Sequence, residues 1–65
     1  MDIYRLTQKG NEVSHSVTGN NGAISIVRFL ASRRQATRDT ILRYGGGELS
    51  DLLLLERKGL VEKID

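Results

Sequence analysis

Apolar positions recur most regularly in the middle of the chain. Ala23, Ile26, Val27, Leu30 and Ala31 fall at the i, i+3, i+4, i+7, i+8 spacing of one helix face, with Ile24 beside them. This stripe predicts a helix that starts near residue 21 or 22, is capped by Asn20 or Asn21, and runs to about Arg34. Before it, Asp2 to Thr7 alternates, with Tyr4 and Leu6 on one face and Ile3 and Arg5 on the other, as a half-buried strand does. The next stretch, QKGNEVSHSV, reads two ways. Thr7 could cap a short helix with Val13 and Val17 a turn apart, or Lys9-Gly10-Asn11 could turn the chain into a second strand. Composition leans toward the strand, because Ser and Val are poor helix formers and an interior glycine costs a helix about 1 kcal/mol.

After the central helix, Thr37 is placed to cap a second, shorter helix, with Asp39 in its first turn and Gly45-Gly46-Gly47 as its stop. Ile41 and Tyr44 are expected to face inward. A third helix is expected from about Glu48 to Lys58, acidic at its start, basic at its end and stopped by Gly59. Leu49, Leu52 and Leu55 should point inward, which leaves Leu53 or Leu54 partly exposed. Leu60 to Ile64 reads as a closing strand with Leu60 and Ile64 on one face. The expected fold is mainly α with a small β-sheet: a single domain over residues 1–65, a three-helix unit with terminal strands.

A chain of 65 residues has no cysteine and a single histidine, so neither disulfides nor a zinc site supplements so small a core. At 38% hydrophobic and 28% charged residues, the composition is that of a folded domain. The longest apolar run of the C-terminal half is Leu52 to Leu55, far short of the roughly 20 residues a membrane span needs. The N-terminal segment does not read as a signal peptide, and the expected location is cytoplasmic. Net charge is only +2, but the middle of the chain holds Arg28, Arg33, Arg34, Arg38 and Arg43 against Asp39 alone. From residue 44 onward acidic residues outnumber basic ones.

The order of helix, threonine-capped short helix, glycine turn and third helix ending in Leu55-Glu56-Arg57-Lys58-Gly59-Leu60-Val61 resembles the winged helix-turn-helix family. In that family the third helix ends in such a glycine stop and passes directly into the wing. Tyr4-Arg5-Leu6-Thr7-Gln8-Lys9-Gly10 is similar to the far end of a wing, where the returning strand enters a threonine-capped helix. That likeness favours a helix over residues 8–16. The order is unusual, since the returning-strand motif comes first and the outgoing strand last. Pairing the two would bring the ends of the chain together.

The resemblance implies a DNA-binding protein, a small transcriptional regulator acting alone or as a homodimer on double-stranded DNA. Lys9, Arg33, Arg34 and Arg38 would contact phosphates, and Ser50 with Arg57 or Lys58 would lie near the groove. The same arginines are equally well read as solvated helix faces, and Arg43 as plain surface. The third helix departs from a base-reading helix by carrying Glu48, Asp51 and leucines. The alternative reading is therefore a protein-interaction or dimerisation module that uses Leu53 and Leu54. His15 has no partner at metal-ligand spacing, and the glycine run lacks the Lys and Ser/Thr of a phosphate-binding loop. No paired carboxylates suit hydrolytic chemistry, so neither an enzyme nor a cofactor is expected.

Overall fold

In the computed structural model, which describes residues 2–19 and 21–65, the chain runs through seven elements. These are β1 (Ile3–Leu6), α1 (Gln8–Ser14), α2 (Gly22–Arg33), β2 (Gln35–Thr37), α3 (Arg38–Tyr44), α4 (Leu49–Arg57) and β3 (Val61–Lys63). The three strands form one antiparallel sheet in the order β2-β1-β3. The first strand of the chain is thus its centre. Tyr4 faces Ala36 on one side and Lys63 on the other. β1 and β3, first and last in sequence, lie side by side, and the Ile64 N–H donates to the Ile3 carbonyl at 2.9 Å.

Helix starts follow their caps. Asn21 Oδ1 accepts from the Ile24 N–H at 2.9 Å and begins α2, while Asn20, the other candidate, lies outside the described residues. Thr37 Oγ1 accepts from the Thr40 N–H and begins α3. At α4 the Asp51 carboxylate reaches back to the Glu48 N–H at 2.9 Å. Gly59, at φ 76°, ends the exit from α4 in the left-handed region where a side chain would be strained.

Residues 8–14 are helix, against the lean of composition. Gly10 is the reason that lean misleads: it is buried against the Leu60 carbonyl, where a Cβ would overlap the oxygen. The glycine that weakens the helix locally is what lets α1 approach the turn after α4.

The core consists of Tyr4, Leu6, Ile26, Val27, Leu30, Ile41, Leu52, Leu55 and Val61. It holds Tyr4 and Leu6 of β1 and Ile26, Val27 and Leu30 of α2, as expected, while Ala31 of the same α2 stripe is exposed, and it corrects three other expectations. Tyr44, in the last turn of α3, is 65% exposed, and Ile41 is the buried residue of that helix. Leu49 begins α4 at the surface, so of its expected inward leucines only Leu52 and Leu55 are buried. In β3 the buried residue is Val61; Leu60 belongs to the preceding turn and, like Ile64, is only half-buried. β2 was not foreseen. Three residues carry too little alternation to register as a strand, and pairing with β1 alone holds them extended.

Candidate functional site

α4 buries Leu52 and Leu55 against α2 and the sheet, which leaves Leu49, Ser50, Leu53, Leu54 and Arg57 on its outer face. These positions form one stripe along the helix, since residues three and four apart are surface neighbours. Ser50, Asp51, Leu53, Leu54 and Arg57 surround a shallow depression on that face. Leu54 also borders a groove between α1, α2 and α4, lined by Val13, Val17, Ala23, Ile24 and Leu60. Both candidate interface leucines, Leu53 and Leu54, are therefore at the surface, and the stripe adds Leu49. Sequence spacing hid Leu49, because it sits three residues before the buried Leu52.

The candidate phosphate-binding side chains sit on different elements. Arg33 ends α2 and lies over the Phe29 ring, 5.1 Å from its centroid. Arg34 follows with φ 70°, its N–H donating to the Leu30 carbonyl, and shares an open groove with Arg5, Glu12, His15 and Glu62. Arg38 lies beyond β2, about 13 Å of extended chain from Arg34. There its N–H donates to the Asp2 carbonyl at 2.8 Å and its guanidinium stands 3.6 Å from the Asp2 carboxylate.

A second cation, Lys63, meets the same carboxylate at 3.1 Å. The hydrogen bond and charge of Lys63, aided by Arg38, hold the Asp2 carboxyl below its ordinary value, and Asp2 in turn raises Lys63. Nothing in the sequence pointed to Lys63; only the pairing of β1 with β3 brings it to Asp2. On the neighbouring pair of that ladder Arg5 Nε lies 2.9 Å from Glu62.

Lys9 and Lys58 do come together. Lys9 Nζ donates to the Lys58 carbonyl at 3.3 Å, placing the Lys9 ammonium at the C-terminal end of α4, where the helix dipole favours positive charge. Arg57 is exposed in the last turn of that helix, and Ser50 lies in its first turn. The candidate cations thus fall into three places: the end of α2, the Asp2 corner of the sheet, and the end of α4.

Among the described residues no three His, Cys, Asp or Glu side chains converge as a metal site would require, and His15 is exposed. Among the described residues no helix is long and apolar enough to cross a membrane. No family model, no curated protein and no solved structure matches the chain.

Proposed function

We propose that this chain is a winged-helix-like protein-interaction module that docks through the outer face of α4. The observation that carries the reading is the exposure of Leu49, Leu53 and Leu54, at 41%, 47% and 41%, on a single helix face. A short helix surfaced with leucine has no use for that surface in water, whereas a partner removes it from solvent. The same face argues against base reading: Glu48 and Asp51 stand at its N-terminal end, where they would repel phosphate, and Ser50 is its one small hydrogen-bonding group. The likeness to a winged helix is supported by the succession α2-β2-α3-α4-β3 and by a sheet whose central strand, β1, lies between β2 and β3.

The test is a photo-crosslinking side chain introduced at Leu54, compared with the same group at Arg28, an exposed position of α2. Protein adducts formed from residue 54 and not from residue 28 support docking at α4. Equal labelling at both positions, or none at either, overturns it.

A second reading is duplex DNA binding through the phosphates. It is favoured by Arg38 and Lys63 standing together at the N-terminus of α3, the place where a helix-turn-helix meets the DNA backbone. Arg33, Arg34, Lys9, Lys58 and Arg57 would extend that contact, in the manner of a small transcriptional regulator. Fluorescence anisotropy with random duplex at two salt concentrations tests it. Binding that falls steeply with salt, and weakens equally on all sequences in Arg38→Glu, supports phosphate contact; no binding at low salt removes the reading.

A further inference from the structure

We infer that the occupant of the α4 face is a second copy of this chain, with the two α4 helices packed antiparallel about a two-fold axis at Leu53. The inference rests on the interaction reading above and names its partner.

Three features of α4 point to it. Its charges are unevenly distributed along the axis, with Glu48 and Asp51 at the N-terminal end and a net positive C-terminal end, where Arg57 and Lys58 outweigh the exposed Glu56. A parallel pair would set like charges together, whereas an antiparallel pair sets each acidic end against the partner's basic end and also opposes the helix dipoles favourably. The stripe is also centred. α4 runs from Leu49 to Arg57, so its middle residue is Leu53. A two-fold axis there packs Leu53 on its own copy, Leu49 along the partner's Arg57 stem and Glu48 beside the partner's Lys58.

The third feature is which charges are already used. Asp2, Arg5, Arg38, Glu62 and Lys63 are in ion pairs within the chain. Among the described residues, Glu48, Arg57 and Lys58 have no such pair, and they flank the leucines.

Nine residues of helix span about 13 Å, so the interface is small and its dissociation constant is expected on the order of micromolar. The experiment is sedimentation equilibrium of the full chain across a range of concentrations bracketing micromolar. The expected result is a mass that rises from 7.2 kDa toward twice that value. Leu53→Glu should hold the chain at the monomer mass. Glu48→Lys and Lys58→Glu, checked by circular dichroism for retained helix, should each weaken association about tenfold, because symmetry reverses two contacts at once.

Glu48→Lys combined with Lys58→Glu should restore association to within about threefold of the parent, since each pair is reformed with its signs exchanged. A monomer at every concentration overturns the inference, as does a dimer that Leu53→Glu leaves intact. Failure of the combined variant to recover while its circular dichroism is native overturns the proposed register. The crosslinking test separates this from the broader reading: adducts of other masses from residue 54 with a monomeric chain leave docking at α4 standing and remove the dimer, and absence of any adduct removes both.

Discussion

The Thr7 hydroxyl donates to the Gly59 carbonyl at 2.6 Å while accepting from the Gly10 N–H at 3.0 Å, so one side chain caps the start of α1 and fastens the exit from α4. The neighbouring Thr7 N–H donates to the Leu60 carbonyl. Through these bonds the two segments that resemble the two sides of a wing are joined at their inner end. Replacing Thr7 by Ala removes both side-chain bonds and is expected to cost about 2 kcal/mol, read as a lowered urea midpoint with unchanged slope. Thr7→Ser keeps the hydroxyl and should lose less than about 0.5 kcal/mol; an equal loss in both variants would refute the role of the bond.

Gly10→Ala inverts the usual rule for helices. In an exposed helix the change is worth about 1 kcal/mol in favour of alanine. Here the added methyl would meet the Leu60 carbonyl oxygen and approach Leu6 Cδ2 at 3.1 Å. The expected outcome is a loss of at least about 1 kcal/mol in thermal or urea unfolding. A gain would mean that α1 stands further from the exit turn than described.

Arg34 is the single non-glycine residue with positive φ among the described residues. A side chain held there is strained, and Gly is not. Arg34→Gly is expected to raise stability by about 0.5–1 kcal/mol, a rise of a few degrees in Tm for a domain of this size. Were the DNA reading correct, the same variant would bind duplex more weakly while being more stable. That divergence would distinguish a contact from a fold defect.

The corner formed by Asp2, Arg38 and Lys63 gives a pH dependence whose sign follows from the two shifts. The Asp2 carboxyl is lowered in the folded chain, so its contribution is present above the ordinary value of 3.8 and is lost as pH falls through the lower, folded value. Lys63 is raised, so its contribution is complete below the ordinary value of 10.5 and is lost as pH rises through the higher one. Lys63 is exposed and Asp2 only half-buried, so the effect should be small and should shrink in high salt. Asp2→Asn should flatten the acid side of a Tm-against-pH curve and remove the part of the alkaline loss that comes from Lys63; an unaltered curve would show that the corner contributes nothing.

Much of this architecture was legible one segment at a time. α2 is legible because apolar residues at helical spacing leave one arrangement that buries Ile26, Val27 and Leu30, while Asn21 and Thr37 mark helix starts by side-chain capping and Gly46 and Gly59 mark exits by their positive φ. β1 was legible because Tyr4 and Leu6 alternate with polar neighbours. The pairing of the first strand with the last followed from the resemblance of their motifs, not from periodicity. The leucine run was legible in part: helical spacing puts Leu52 and Leu55 inward and exposes Leu53 or Leu54, and both of the latter are at the surface, but the same spacing puts Leu49 inward, where the start of α4 leaves it exposed.

That difference marks the division. Local pattern by itself determined roughly where α2, α3 and α4 start and stop, that the class is mainly α with a small sheet, and that α4 must leave leucine exposed, because caps, glycine stops and periodicity act over a few residues. Tertiary structure decided the rest. It made β2 a strand by supplying β1 as its partner, made Gly10 a helix residue by bringing the Leu60 carbonyl against it, and placed Lys63 beside Asp2 across the whole length of the chain. It also divided the arginines among separate places, since a three-residue strand stands between Arg34 and Arg38. Each of those outcomes is a contact between residues far apart in sequence, and such a contact acquires a definite energy only when the core holds both partners in place.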